Sequence, residues 1–136
     1  MTSHFALTDE QFEQQFKDAS LDPMLFSHEA HIRLAWIHIS TYGVDVAAEN
    51  LCRQIAVFDA THDDGTNYNK TVTVAAVKAV NHFMEKSSAT TFADFIQENP
   101  RLIFNFKDLI NAHYSQNIFS NEVAKRTYVP PDLAAF

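Results

Sequence analysis

Two glycines in 136 residues set the first limit on what this chain can fold into. Ordinary usage, roughly 7%, would supply about nine or ten. Glycine serves positive-φ turns and close approaches of backbone to a ligand, and few of either are available here. Neither Gly43 nor Gly65 begins a G-x-G-x-x-G or a G-x-x-x-x-G-K-[ST] segment, so the phosphate-cradling loops of nucleotide-binding proteins are missing. Barrels and sandwiches need many tight turns, and the same shortage disfavours them. A chain of this length is read as one domain, 1–136, able to bury roughly two-thirds of its unfolded surface.

Helical periodicity fills the space that the missing turns leave. Thr8 and Gln11 have capping-box spacing, with Phe12 and Phe16 one turn apart behind them. Residues 21–26 contain Pro23 and read as a connector. A second helix is expected over 27–42, with Ser27 as N-cap and Gly43 as the C′ residue. Asp45 is expected to cap a third helix, and residues 61–67 form the clearest loop. Residues 71–74 alternate like a strand, yet Val72, Ala76, Val80 and Phe83 continue at helical spacing and no second strand offers itself, so a helix is expected. Thr91 caps a short helix. Asn99 and Pro100 look like N-cap and N1 of the next, which Asn105 splits. Ser120 starts a last short turn before an extended tail at 129–133. The fold class is all-α: a single bundle of five to seven helices around a Phe-rich core.

Charge narrows the partners. Ten Lys and Arg stand against 17 Asp and Glu, a net charge of −7, with no basic stripe to neutralise phosphates. No nucleic acid partner is expected, nor an acidic membrane surface. No segment reaches the ~20 apolar residues of a membrane span, and a soluble, cytoplasmic protein is expected. Cys52, the single cysteine, excludes an intrachain disulfide and reads as a buried thiol.

Residues 27–42 carry the densest chemistry. At about 100° per residue, His28, His31, Ala35, His38 and Tyr42 fall within about 80° of one another. His28 and His31, three apart, can meet one ligand; His38 lies roughly 10 Å further along the axis and could only line the same pocket. A zincin motif is excluded, because His28 and His31 are one residue too close for H-E-x-x-H. Arg33 reads as a solvated or carboxylate-paired residue and Trp36 as a core aromatic. Tyr68, Thr71 and Thr73 follow the polar loop at a helix entrance, where N–H groups and hydroxyls favour anions. His113 and Tyr114 end a later apolar face, while His4, His62 and His82 read as ordinary surface or border residues.

Phe26, His28, His31, Arg33, Ala35 and Trp36, then Tyr68, Thr71 and Thr73, then Tyr114 and Ser115, then Val129, Pro131, Asp132 and Leu133 together resemble a group of uncharacterised bacterial proteins. Its pattern is aromatic-x-His-x-x-His-aliphatic-Arg-aliphatic-Ala-Trp, Tyr-His-x-Thr-x-Thr, Tyr-Ser and Val-x-Pro-Asp-Leu. The resemblance implies that the polar segments share a site, but it brings no established activity. Asn69 stands where the group has His, and an amide oxygen is a poor substitute as a ligand for zinc-type ions.

The resulting expectation is a helical protein with a pocket for a small ligand, anions included. His28 and His31 serve contact or proton transfer, and Tyr68, Thr71, Thr73, His113 and Tyr114 line the wall. No motif specifies a cofactor or a metal site. Two other readings share these residues: a metal-dependent hydrolase or transferase, and an interaction module forming a homo-oligomer, for which Phe104 is the candidate exposed aromatic.

Overall fold

The computed structural model describes residues 3–136 and is helical as expected. It has eight α-helices, five of seven residues or more, and no strand among the described residues. Two units follow one another along the chain, Met1–Tyr68 and Asn69–Phe136.

The first unit opens with a 3-10 turn at His4–Ala6 and continues into α1, Asp9–Lys17. The capping box forms: Thr8 Oγ1 accepts from Gln11 N at 3.1 Å and Gln11 Oε1 from Thr8 N at 3.0 Å. Phe12 and Phe16 are buried one turn apart. A 3-10 turn at Pro23–Leu25 leads to α2, His28–Tyr42, where Ser27 Oγ accepts from Ala30 N at 3.2 Å. Gly43, at φ +85°, ends α2 and immediately precedes α3, Val44–His62. Asp45 therefore lies inside the first turn of α3 instead of capping it, and its charge faces the positive end of the helix dipole. Residues 32–38 of α2 are all buried, the pattern of a helix covered nearly all round.

The second unit begins with α4, Lys70–Met84, whose first turn is closed by Asn69 Oδ1 accepting from Val72 N at 3.0 Å. The strand-like alternation of residues 71–74 has a helical explanation. Thr71, Ala75 and Ala79 form one buried stripe and Thr73, Val77 and Val80 another on the far side, and α4 packs against both α7 and α8. Burial on two sides of a helix imitates period two. Thr91 caps α5, Phe92–Glu98; then come α6, Arg101–Phe104, α7, Phe106–Asn111, and α8, Glu122–Arg126. Asn105 divides α6 from α7 as expected. Two boundaries differ from expectation. Asn99 closes α5 while Pro100 is the N-cap of α6, and Asn121, not Ser120, caps α8 by accepting from Val123 N and Ala124 N. Residues 127–136 are non-helical, with Pro130 and Pro131 unable to donate a backbone hydrogen bond. No helix among the described residues is long and apolar enough to cross a membrane.

Candidate functional site

In the first unit, the N-terminal turns of α2 carry His28 and His31. His28 is exposed and His31 half-buried. The His31 ring packs on Phe26 with centroids 4.2 Å apart. Phe26 in turn meets Phe16 at 4.7 Å and Phe58 at 5.1 Å. This aromatic surround penalises a charged imidazole, and the like charge of His28 adds to the penalty. The His31 pKa falls from 6.5 to about 4. Neither ring nitrogen of His31 makes a hydrogen bond among the described residues, and neither is sealed from solvent. At pH 7 it is a neutral group with one N–H donor and one ring-nitrogen acceptor uncommitted.

His38, two turns on, is a different case. It is 1% exposed, its Nδ1 lies 3.4 Å from Asn50 Nδ2, and its Nε2 has no hydrogen-bond partner among the described residues. Burial lowers its pKa, and so enclosed a ring cannot meet a ligand from solvent. Tyr68 closes the first unit half-buried. Burial raises the pKa of its phenol, assisted by a hydrogen bond with the Cys52 thiol. Cys52 is thus half-buried and engaged, which corrects its reading as a plain core thiol.

Two first-unit residues differ from the sequence reading. Arg33, at 4% exposure, is buried and not solvated; the carboxylate pairing foreseen for it is with Asp9. Its Nε and Nη2 reach Asp9 Oδ1 at 3.2 and 2.9 Å, Nη2 also reaches Leu7 O at 2.8 Å, and Nη1 reaches His4 O at 2.7 Å and His4 Nδ1 at 3.2 Å. His4, expected at the surface, is 3% exposed. A guanidinium only donates, so His4 Nδ1 accepts, and Nε2 carries the hydrogen that meets Glu29 Oε1 at 2.8 Å. Glu29 belongs to this network. No sequence signal reveals the pairing, since His4 lies 25 and 29 residues from its partners.

In the second unit, the other candidates apart from Thr73 bond the C-terminal segment. Thr71 Oγ1 donates to Thr127 O at 2.9 Å and accepts from Val129 N at 3.0 Å. Thr73 Oγ1 donates to Asn69 O at 2.8 Å, one turn back on its own helix. Tyr114 Oη donates to Val129 O at 2.8 Å, and burial followed by the Tyr128 phenol raises its pKa. His113 Nδ1 meets Ala134 O at 2.8 Å while its ring stacks on Phe136 at 4.0 Å. Asp132 accepts from both Ser115 N and Ser115 Oγ, and those two bonds hold its carboxyl below the ordinary range. Sequence reasoning missed Lys78 and Tyr128, which lie in this same assembly with Lys78 Nζ 3.3 Å from Tyr128 Oη. The available signal was the seven-residue step from Thr71 to Lys78, which places both on one face of α4.

Asn69, where the resembling group has His, uses both ends of its amide: Oδ1 caps α4 and Nδ2 donates to Ile118 O at 2.9 Å. Among the described residues no three His, Cys, Asp or Glu side chains are grouped to hold a metal ion. An open cleft of about 350 Å³ lies over Ser88, Ala89, Thr90, Asp94, Gln97 and Glu98, away from every residue singled out above. Comparison of the chain with protein families, with curated proteins and with solved structures finds no match.

Proposed function

We propose that the protein binds a small molecule at the N-terminal turns of α2, with His28 and His31 as the contacting groups and Tyr68 contributing a hydrogen bond from the same unit. The observation that carries this reading is His31: a half-buried imidazole against the Phe26 ring, neutral at physiological pH, with no hydrogen bond to either ring nitrogen among the described residues. Polar groups in such surroundings are ordinarily paired within the protein, and an unpaired one that solvent can reach is suited to a ligand.

The same chemistry favours binding over proton transfer. A general base works best with a pKa near the operating pH, and about 4 is far below it. An uncharged hydrogen-bonding ligand suits neutral His31 directly. An anionic one would bind with uptake of a proton, and its affinity would rise as pH falls toward 4. The side chains of Thr71, Thr73, His113 and Tyr114 are engaged within the second unit; we assign Thr71, His113 and Tyr114 to holding the C-terminal segment and Thr73 to the first turn of its own helix.

The test is a thermal-shift screen of small polar compounds, charged and uncharged, against wild type, His28→Ala and His31→Gln. A compound that stabilises wild type and loses its effect in both variants supports the site. A library whose stabilising compounds act equally on all three proteins, or that contains none, refutes it.

A further inference from the structure

Arg33 commits every N–H of its guanidinium to one short stretch of chain. Nε and Nη2 reach Asp9 Oδ1, Nη2 also reaches Leu7 O, and Nη1 reaches both His4 O and His4 Nδ1. This grip joins α2 to the His4–Ala6 turn and to the start of α1. All of these bonds end on oxygen except the one to His4 Nδ1, at 3.2 Å. The imidazole is the one acceptor of the set whose ordinary pKa, 6.5, lies between pH 5 and 8.

Both ring nitrogens of His4 are assigned by their partners. Nδ1 faces a group that only donates, so it presents its lone pair, and Nε2 carries the hydrogen aimed at Glu29 Oε1. The ring is 3% exposed and packs on Phe5 at 4.3 Å and Phe12 at 5.8 Å. A second proton has only Nδ1 to go to, and that position already holds an Arg33 N–H. Protonation there sets donor against donor and one positive charge against another, where little water reaches to screen them.

The charged groups of this network come from both helices packed on the turn: Glu29 and Arg33 from α2 and Asp9 from α1. Burial acts most strongly on the His4 ring and disfavours its charged form. The Glu29 carboxylate works the other way, as hydrogen-bond acceptor and as charge, and the Arg33 charge adds to the effect of burial. The balance holds the His4 pKa below 6.5. A ring swung out into water would return to the ordinary value, so the open form binds more protons and acid favours it.

We propose that His4 is an acid-released latch: a proton taken up at Nδ1 breaks the bond from Arg33 and frees the His4–Ala6 turn from α2. The Arg33 bonds to Leu7 O and Asp9 do not involve the imidazole, so α1 stays attached while the turn opens. Opening withdraws the His4 ring from Phe12 and releases the Glu29 carboxylate in the first turn of α2. The latch does not rest on the reading at His31.

An NMR titration of the full chain between about pH 7.5 and pH 5 tests it, following the His4 ring, the Arg33 Nε–H and the amides of Ala6 and Leu7, which donate to Ser3 O and His4 O. All four should move with one midpoint. From pH 7 to pH 5 an open ring titrating at 6.5 can gain on a closed ring that takes no proton by at most about 25-fold. The exchange protection of the Leu7 amide, corrected for the pH dependence of free-chain exchange, should therefore fall severalfold within that limit. His4→Gln offers an acceptor and a donor but does not titrate, and its Leu7 protection should stay level. Glu29→Gln keeps an acceptor for Nε2–H and removes the charge that favours the protonated ring, so acid should open it further than wild type. His31→Phe should leave the response of residues 4–7 unchanged, separating the latch from the other site. The proposal fails if Leu7 protection holds in wild type, if the His4 ring titrates while the Arg33 Nε–H stays still, if His4→Gln responds as wild type does, or if Glu29→Gln blunts the response.

Discussion

The pKa of His31 makes stability depend on pH in a way that one substitution can isolate. In the unfolded chain the imidazole titrates near 6.5, and in the fold at about 4. The folded state therefore binds fewer protons across the window between about pH 4 and 6.5. Stability is complete above that value, is lost as pH falls, and levels off below about 4. Between pH 7 and pH 5 the linkage integral for this pair of values gives a loss of about 1.8 kcal/mol, an upper value because the ring keeps some contact with water. His31→Phe preserves an aromatic ring against Phe26 and removes the titration. Urea unfolding followed by Trp36 fluorescence at both pH values should show wild type losing more stability than the variant, by up to about 1.8 kcal/mol. His4 and His38 are also held neutral by burial, but they remain in both proteins and cancel in the difference. Equal losses in wild type and His31→Phe would refute the argument, because His31 would then titrate alike in the folded and unfolded states.

Three further outcomes follow from the geometry. Thr71→Val keeps the side-chain shape and removes both bonds to residues 127 and 129, so it should cost about 1–2 kcal/mol and speed amide exchange at residue 129, whereas Thr71→Ser should do neither. Arg33→Met leaves the His4 ring and the carbonyls of His4 and Leu7 without their donor; a loss of about 3 kcal/mol is expected in chemical denaturation, with exchange rising first over residues 4–9. Phe104 is 80% exposed, so Phe104→Ser should leave stability within about 0.5 kcal/mol. Light scattering at high concentration then checks the homo-oligomer reading, which is lost if wild type and variant are both monomers.

Much of the fold could be read because its determinants are local. A hydroxyl three residues before a free amide caps a helix whatever surrounds it, so Thr8, Ser27 and Thr91 were legible, and Gly43 at positive φ was legible as a stop. Boundaries slipped by a residue at Asn99 and Pro100, and at Ser120 and Asn121, where two capping-competent side chains stood side by side. The strand-like run at residues 71–74 shows the opposite limit. Periodicity records how many sides of an element are covered, and a helix between two neighbours can imitate a strand.

The candidate site was legible only as residue types on shared faces. Helical spacing put His28, His31 and His38 on one stripe, but it is tertiary packing that leaves the nitrogens of His31 uncommitted and encloses His38. A hydroxyl waiting for a ligand and a hydroxyl fastening a distant segment also look identical along the chain. Thr71 and Tyr114 carry polar atoms where a ligand wall was expected, and those atoms go to backbone 15 to 58 residues away. The reason lies in the segment they hold. Pro130 and Pro131 keep the tail out of a helix, so its amides and carbonyls must find partners elsewhere, and buried side chains of α4 and the residues after α7 supply them. The spacing of such a motif can then reflect the demands of an unpaired backbone as readily as those of a ligand.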